Sequence, residues 1–223
     1  MLEYLLVVAV VIASIIVIYY TLRLLRFAMK RLWFAFRLFL MSTFCKGFEY
    51  CYKKPFSIFA GRKNKYSDVL VYYGGTIYII KLCGFFYKRT NVIVNQEDVW
   101  QIDTYLAGGR WMTATKNTDT EVVRFNLPKE KAYFENNIWN VPGISEINTM
   151  ILLLPKPRDF GIRVETHIEW LCSGNLCGGN IVGTVRYLWR TLKELKEESD
   201  NFMYVEKNQW EKIKKEYKKA KWS

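Results

Sequence analysis

Tyr-Leu-Leu-Val-Val-Ala-Val-Val-Ile-Ala-Ser-Ile-Ile-Val-Ile-Tyr-Tyr-Thr-Leu, Tyr4 to Leu22, runs nineteen residues without a charge. At 1.5 Å per helical residue it reaches about 28 Å, which matches a hydrocarbon core about 30 Å thick. Tyr4, Tyr19 and Tyr20 stand at its ends, where amphipathic rings prefer the headgroup layer. The stretch reads as a transmembrane helix. Only Met1 to Glu3 precede it, whereas Arg23, Arg26, Lys30, Arg31 and Arg37 follow. The positive-inside rule therefore predicts a single-pass membrane protein, amino terminus outside and the remaining chain in the cytoplasm. A cleaved signal peptide would carry its charge before the apolar stretch and a small-residue site after it. Here the charge is on the other side, and Tyr-Tyr-Thr-Leu-Arg is no such site. A buried core helix would be unusual at this length and apolarity.

Working outward, Arg23 to Phe44 changes character. Arg23, Arg26, Lys30 and Arg37 are spaced three, four and seven apart, so they share one helical face with Arg31 at its margin. Leucine, phenylalanine and tryptophan cover the rest. Such a helix suits a membrane surface, where anionic headgroups add about 1 kcal/mol per nearby base. The competing expectation is a helix that packs its apolar side on the soluble domain. Leu32 to Phe44 is too short for a second span and contains Arg37.

The chain has 223 residues and a formal net charge of +12. Residues 23–65 carry +10, residues 66–206 carry −2 and residues 207–223 carry +5. Nucleic-acid binders usually hold their basic patch on the folded domain. Here the folded middle is nearly neutral, and the basicity lies beside the anchor and in the tail, where it serves orientation and lipid contact. The expected organisation is an anchor (1–22), a basic amphipathic juxtamembrane helix and linker (23–54), one mixed-sheet α/β or α+β domain (55–206) and a basic C-terminal helix (207–223). The five cysteines, an odd number in an expected cytoplasmic setting, argue against a disulfide framework. Cys172 and Cys177 flank a Gly-Asn turn, and the only histidine, His167, has no second close pair with which to build a zinc site.

Pro55 and the cluster Ala60 to Lys65 read as connections. Asp68 to Tyr73 and Thr76 to Cys83, rich in β-branched and aromatic residues, read as two strands joined by the Gly74-Gly75 hairpin turn. Further strands are expected at Thr90–Val94, Trp100–Leu106, Arg110–Thr115, Thr120–Phe125 and Met150–Leu154, with Gly108-Gly109 a turn. Gly161 to Trp170 alternates less cleanly, and Ser173 to Gly179 reads as a turn. A helix is expected over Thr184–Glu198, capped by Thr184, with Val185, Leu188, Trp189, Leu192 and Leu195 packed inward. The tail helix would present Trp210, Ile213, Tyr217 and Ala220 on one face. It is either solvated or a second membrane contact with Trp222 as an interfacial anchor.

Asp68 on one strand and Ile79-Ile80-Lys81 on the next, preceded by a helix and by Gly47-Phe48-Glu49-Tyr50, resemble the core of the restriction-endonuclease-like superfamily, Mrr-type members above all. Gly179-Asn-Ile-Val-Gly-Thr184 before a helix resembles that family's closing helix. The resemblance implies a site in which acidic oxygens hold Mg²⁺ against a scissile phosphate and a lysine activates water. Asp68, Glu49 and Lys81 would be its catalytic residues, and nucleic acid its partner. The triplet departs from the family pattern, because Ile79 stands where a Glu or Gln ligand belongs. The chain is also similar to a group of bacterial membrane-anchored proteins with a basic, apolar amino-terminal helix before an Asp … Tyr-x-x-Lys-Leu-x-Gly hairpin. Asp68, Tyr78, Lys81, Leu82 and Gly84 match it, and no activity is implied. No phosphate-binding glycine loop is present, since Gly74-Gly75 and Gly178-Gly179 lack the residues that would follow. The leading expectation is an anchored interaction or scaffold domain without catalysis or cofactor, partnered by the bilayer and a protein. The alternative is a membrane-tethered nuclease-like domain.

Overall fold

The computed structural model describes residues 2–53, 66–84, 90–96, 99–105, 118–138, 141–154, 157, 159–164, 167–170, 176–177, 180–184, 188, 190, 192 and 204–219. One helix, α1 (Leu2–Phe44), carries the chain from the apolar run into the domain without a break. It contains a stretch long and apolar enough to cross a membrane, none of it buried against the protein.

Past Leu22 the same helix changes surroundings. Ala28, Arg31, Phe34 and Leu38 are buried, and their spacing of three, three and four makes one stripe. Phe34 and Leu38 pack with Val69, Val71, Tyr78 and Ile80 on one face of a sheet. The packing expectation for Arg23–Phe44 therefore holds for this stripe.

That sheet has six strands in the order β1-β2-β3-β7-β11-β10. They are β1 (Glu49–Tyr52), β2 (Val69–Tyr73), β3 (Thr76–Gly84), β7 (Glu146–Leu154), β11 (Asn180–Thr184) and β10 (Leu176–Cys177). The expected hairpin forms: Tyr73 pairs with Thr76 across Gly74-Gly75. Both glycines have positive φ, 57° and 88°, as a two-residue turn matching strand twist requires. β3 then runs parallel to β7 along nine pairs, Thr76↔Glu146 to Gly84↔Leu154. Both strands are covered on both faces, which is why they read as near-continuous apolar runs. The sheet begins at Glu49, earlier than the boundary expected at residue 55.

A second sheet, β6-β5-β4-β8-β9, is built from β4 (Thr90–Gln96), β5 (Val99–Tyr105), β6 (Thr118–Arg124), β8 (Asp159–Val164) and β9 (His167–Trp170). Its Val92, Trp100, Ile102 and Phe160 share a core with Leu70, Ile77, Ile79 and Ile151 of the first sheet. Two helices close that core. The first is α2 (Leu127–Ile138), through Leu127, Phe134 and Ile138; the second is α3 (Lys207–Lys219), through Trp210, Ile213 and Tyr217. The tail helix is thus docked on the domain by the face expected from its spacing.

Leu188, Arg190 and Leu192 are helical, with both leucines buried, whereas Thr184 ends β11. The expected connections at Pro55 and 60–65, the strand at 110–115, the Gly108-Gly109 turn, Cys172 and Trp222 lie outside the described residues. Cys45, Cys51 and Cys83 are not joined in disulfides.

Candidate functional site: a buried ion cluster beneath the first helix

β3 outruns its neighbour. The β2–β3 ladder ends at Val69↔Ile80, so the backbone of Lys81 and Leu82 has no β2 residue opposite it. Asp68 fills the gap. Its own N–H donates to the Ile80 carbonyl at 2.8 Å, and its carbonyl accepts from the Lys53 N–H at 3.2 Å. Its Oδ2 accepts from the Leu82 N–H at 2.8 Å and from Lys81 Nζ at 3.0 Å. Its Oδ1 lies 3.9 Å from Nη2 of Arg31, which reaches down from α1. Side-chain exposure is 1% for Lys81, 4% for Arg31 and 11% for Asp68. One carboxylate therefore holds two buried cations and ends a strand ladder.

This corrects the expectation for Arg31. It was placed with the membrane-surface bases, but it belongs to the buried stripe of α1 and pairs with Asp68. The other bases fare differently. Arg26 and Lys30 are exposed, and the Arg37 guanidinium lies 5.2 Å from the Trp33 ring centre. The side chain of Arg23 lies outside the described residues.

A second cluster adjoins the first through the neighbouring residue. Ser67 donates its N–H to Glu130 Oε1 at 3.0 Å, and its hydroxyl donates to Glu130 Oε2. The same hydroxyl is 2.9 Å from the Tyr217 hydroxyl. Lys53 Nζ lies 3.5 Å from Glu130 and faces the rings of Tyr66 and Tyr217 at 5.1 and 5.4 Å. Burial pushes the Glu130 carboxyl above its ordinary range, opposed by Lys53 and by the Ser67 hydrogen bonds. Burial likewise pushes the Tyr217 hydroxyl well up, opposed by its bond to Ser67. Glu130 comes from α2, a helix that the sequence reading did not anticipate. Pro128 in its first turn was the available signal.

Of the three residues implied by the nuclease resemblance, the fold brings together two. Asp68 and Lys81 touch, but Glu49 pairs with Tyr72 at the far end of β1. Four strand steps, about 13 Å, separate it from the level of Asp68, and its charged neighbours are Lys207, Glu211 and Lys214 of α3. Both Asp68 oxygens are taken by cations and a backbone N–H. This donor set does not fit Mg²⁺, which demands a nearly ideal octahedron of oxygens. Among the described residues no group of three His, Cys, Asp or Glu side chains could hold a metal ion. Ser67 and Glu130 are fully buried, so neither meets a substrate as an activated nucleophile or base must. The combined cluster has a mechanical consequence. It ties α1, β1, β2, β3, α2 and α3 together at one end of the sheet.

The chain matches no family model, no curated protein and no solved structure.

Proposed function

We propose that the chain is a single-pass membrane protein whose folded domain sits at the cytoplasmic face and acts as an interaction or scaffold module without catalysis. The observation that carries this reading is the double life of α1. One unbroken helix is apolar and uncovered over its first half and contributes Ala28, Arg31, Phe34 and Leu38 to the domain over its second. A domain that only needed tethering would do as well on a flexible linker. Here the anchor is part of the core, so the domain's height and rotation relative to the bilayer are set. Rigid presentation of a surface is what a scaffold needs. The five bases after Leu22 support the cytoplasmic orientation, and the exposed Arg26 and Lys30 would meet anionic headgroups.

The test has two arms. A tag at Ser223 is expected to be labelled by an impermeant reagent only after intact cells are opened, with the protein retained in alkali-washed membranes. Labelling on unbroken cells, or a soluble product beginning beyond Leu22, overturns the topology. For the absence of catalysis, the full chain in detergent is expected to leave plasmid DNA intact with Mg²⁺ or Mn²⁺. Metal-dependent cleavage that Lys81→Ala abolishes overturns that half.

A further inference from the structure

Around the cytoplasmic half of α1 three faces alternate. The domain covers the stripe from Ala28 to Leu38. The bases Arg26, Lys30 and Arg37 form a second face. The third is apolar and open: Leu25, Met29, Leu32, Phe36 and Phe39 are each about half exposed, at 55, 59, 50, 49 and 54%. These five are spaced four, three, four and three, the 3.5-residue rhythm of a helix seam that packs on another helix. Read back towards the amino terminus, the same register passes through Leu22, Ile18 and Ile15. Inside the span any register would be apolar. Past Leu22 polar residues are free to occur, and they avoid this one.

Lipid does not reach the outer part of this face, from Leu32 onward. Leu32 to Phe39 stand about 15 to 25 Å beyond Leu22 along the axis, whereas the headgroup layer adds only about 5 to 7 Å per side. A tilt of about 40°, the upper end of the usual range, still leaves them about 11 to 20 Å above the core. The domain touches this face at Leu154 and leaves the rest of it uncovered. At 100° per residue its buried stripe lies about 120° around the helix from the seam.

We infer that the seam is covered by a second copy of this chain, the two α1 helices running in parallel from the bilayer into the cytoplasm. A two-fold pair supplies an identical apolar stripe at the same height, which an unrelated partner would have to match. The five seam residues and Trp33 would each contribute roughly 100 Å², so roughly 600 Å² per protomer lies outside the membrane. A standard interface needs about 800 Å² per partner, and the seam's continuation through Leu22, Ile18 and Ile15 adds helix-to-helix packing within the bilayer. A groove of about 580 Å³ lies along the seam, lined by Met29, Lys30, Leu32, Trp33, Phe36 and Leu154. It is the hole into which the partner helix sets its side chains. This inference rests on the proposed anchoring and names the protein partner.

The test is cysteine crosslinking of the full chain in native membranes with a short bismaleimide, against the wild-type background of five cysteines. Leu32→Cys and Phe39→Cys are expected to give a covalent dimer. Arg26→Cys, exposed on the basic face and outside the groove lining, is expected to stay at background. Adding Phe36→Glu to Leu32→Cys is expected to lower the yield about tenfold, because a carboxylate in a desolvated seam has no partner. Absence of a dimer at both seam positions overturns the inference, as does equal crosslinking at Arg26. A dye on Leu32→Cys quenched by nitroxide-labelled lipid would instead make lipid the cover, and also overturns it. Membrane recovery is scored in the same samples. Loss of the chain from membranes refutes the anchoring, while a membrane-bound, uncrosslinked chain refutes the dimer alone.

Discussion

Replacing Asp68 by Asn removes one charge and strands two. Lys81 and Arg31 have side-chain exposures of 1% and 4% and share Asp68 as counter-ion. Breaking a buried pair by deleting one partner typically costs about 3–5 kcal/mol, because the survivor stays buried and uncompensated. The amide of Asn still accepts from the Leu82 N–H, so the loss is electrostatic. In a domain of this size about 1 kcal/mol moves the melting temperature by about 2–4 °C, which gives a fall of about 6–20 °C for Asp68→Asn. Lys81→Met is the contrasting case. It removes a cation and leaves a similar apolar volume, and Asp68 keeps Leu82 N–H and Arg31. Its cost is that of a charged hydrogen bond, about 1.5–3 kcal/mol. The assay is tryptophan fluorescence of the full chain in mild detergent, heated at one scan rate. Asp68→Asn is expected to melt below Lys81→Met. The reverse order, or an Asp68→Asn shift under about 2 °C, would refute the view that one carboxylate serves both cations.

Three further outcomes follow from the same packing. Burial holds the Glu130 carboxyl above its ordinary value, so the folded state binds that proton more tightly than the unfolded chain. Its contribution is complete below about pH 4.3 and is lost as pH rises through the raised value. The stability difference between wild type and Glu130→Gln should therefore fall from pH 4 upward, and a difference that grows would contradict the assignment. Phe34→Ala empties a fully buried site between α1 and the sheet and is expected to cost about 3–5 kcal/mol, read as a lowered melting temperature and faster proteolysis past Phe44. Gly143 has φ +88°, and a Cβ there would meet the Tyr204 carbonyl oxygen at 2.6 Å. Gly143→Ala is expected to destabilise by at least about 1 kcal/mol and to expose α3 to protease, and an unchanged melting curve would show that the chain around Tyr204 yields freely.

The clearest elements in the sequence were those whose pattern is complete within a few residues. Nineteen uncharged residues identify an apolar helix regardless of what surrounds it, and two β-rich runs around Gly74-Gly75 have little choice but a hairpin. The 3.6-residue spacing of Trp210, Ile213 and Tyr217 likewise marked one face of α3, but not that the domain covers it. α2 was missed because its inward face is sparse and includes a buried glutamate, whose partners Lys53 and Ser67 lie 77 and 63 residues away.

By itself, then, the sequence determined that an apolar amino-terminal helix precedes a mixed α/β domain containing a Gly-Gly hairpin. Only the tertiary structure decided what the ionisable residues do. Arg31 sits at the margin of a basic face in helical projection, and only the sheet beneath it shows that it points inward to Asp68. Glu49 and Asp68 are both acids close to β-strands, and only the β1–β2 register shows that they stand at opposite ends. Helix and strand periods are local, set by neighbours within four residues. Ion pairs form between segments that meet only after the chain has folded, as when Ser67 joins Tyr217 across 150 residues.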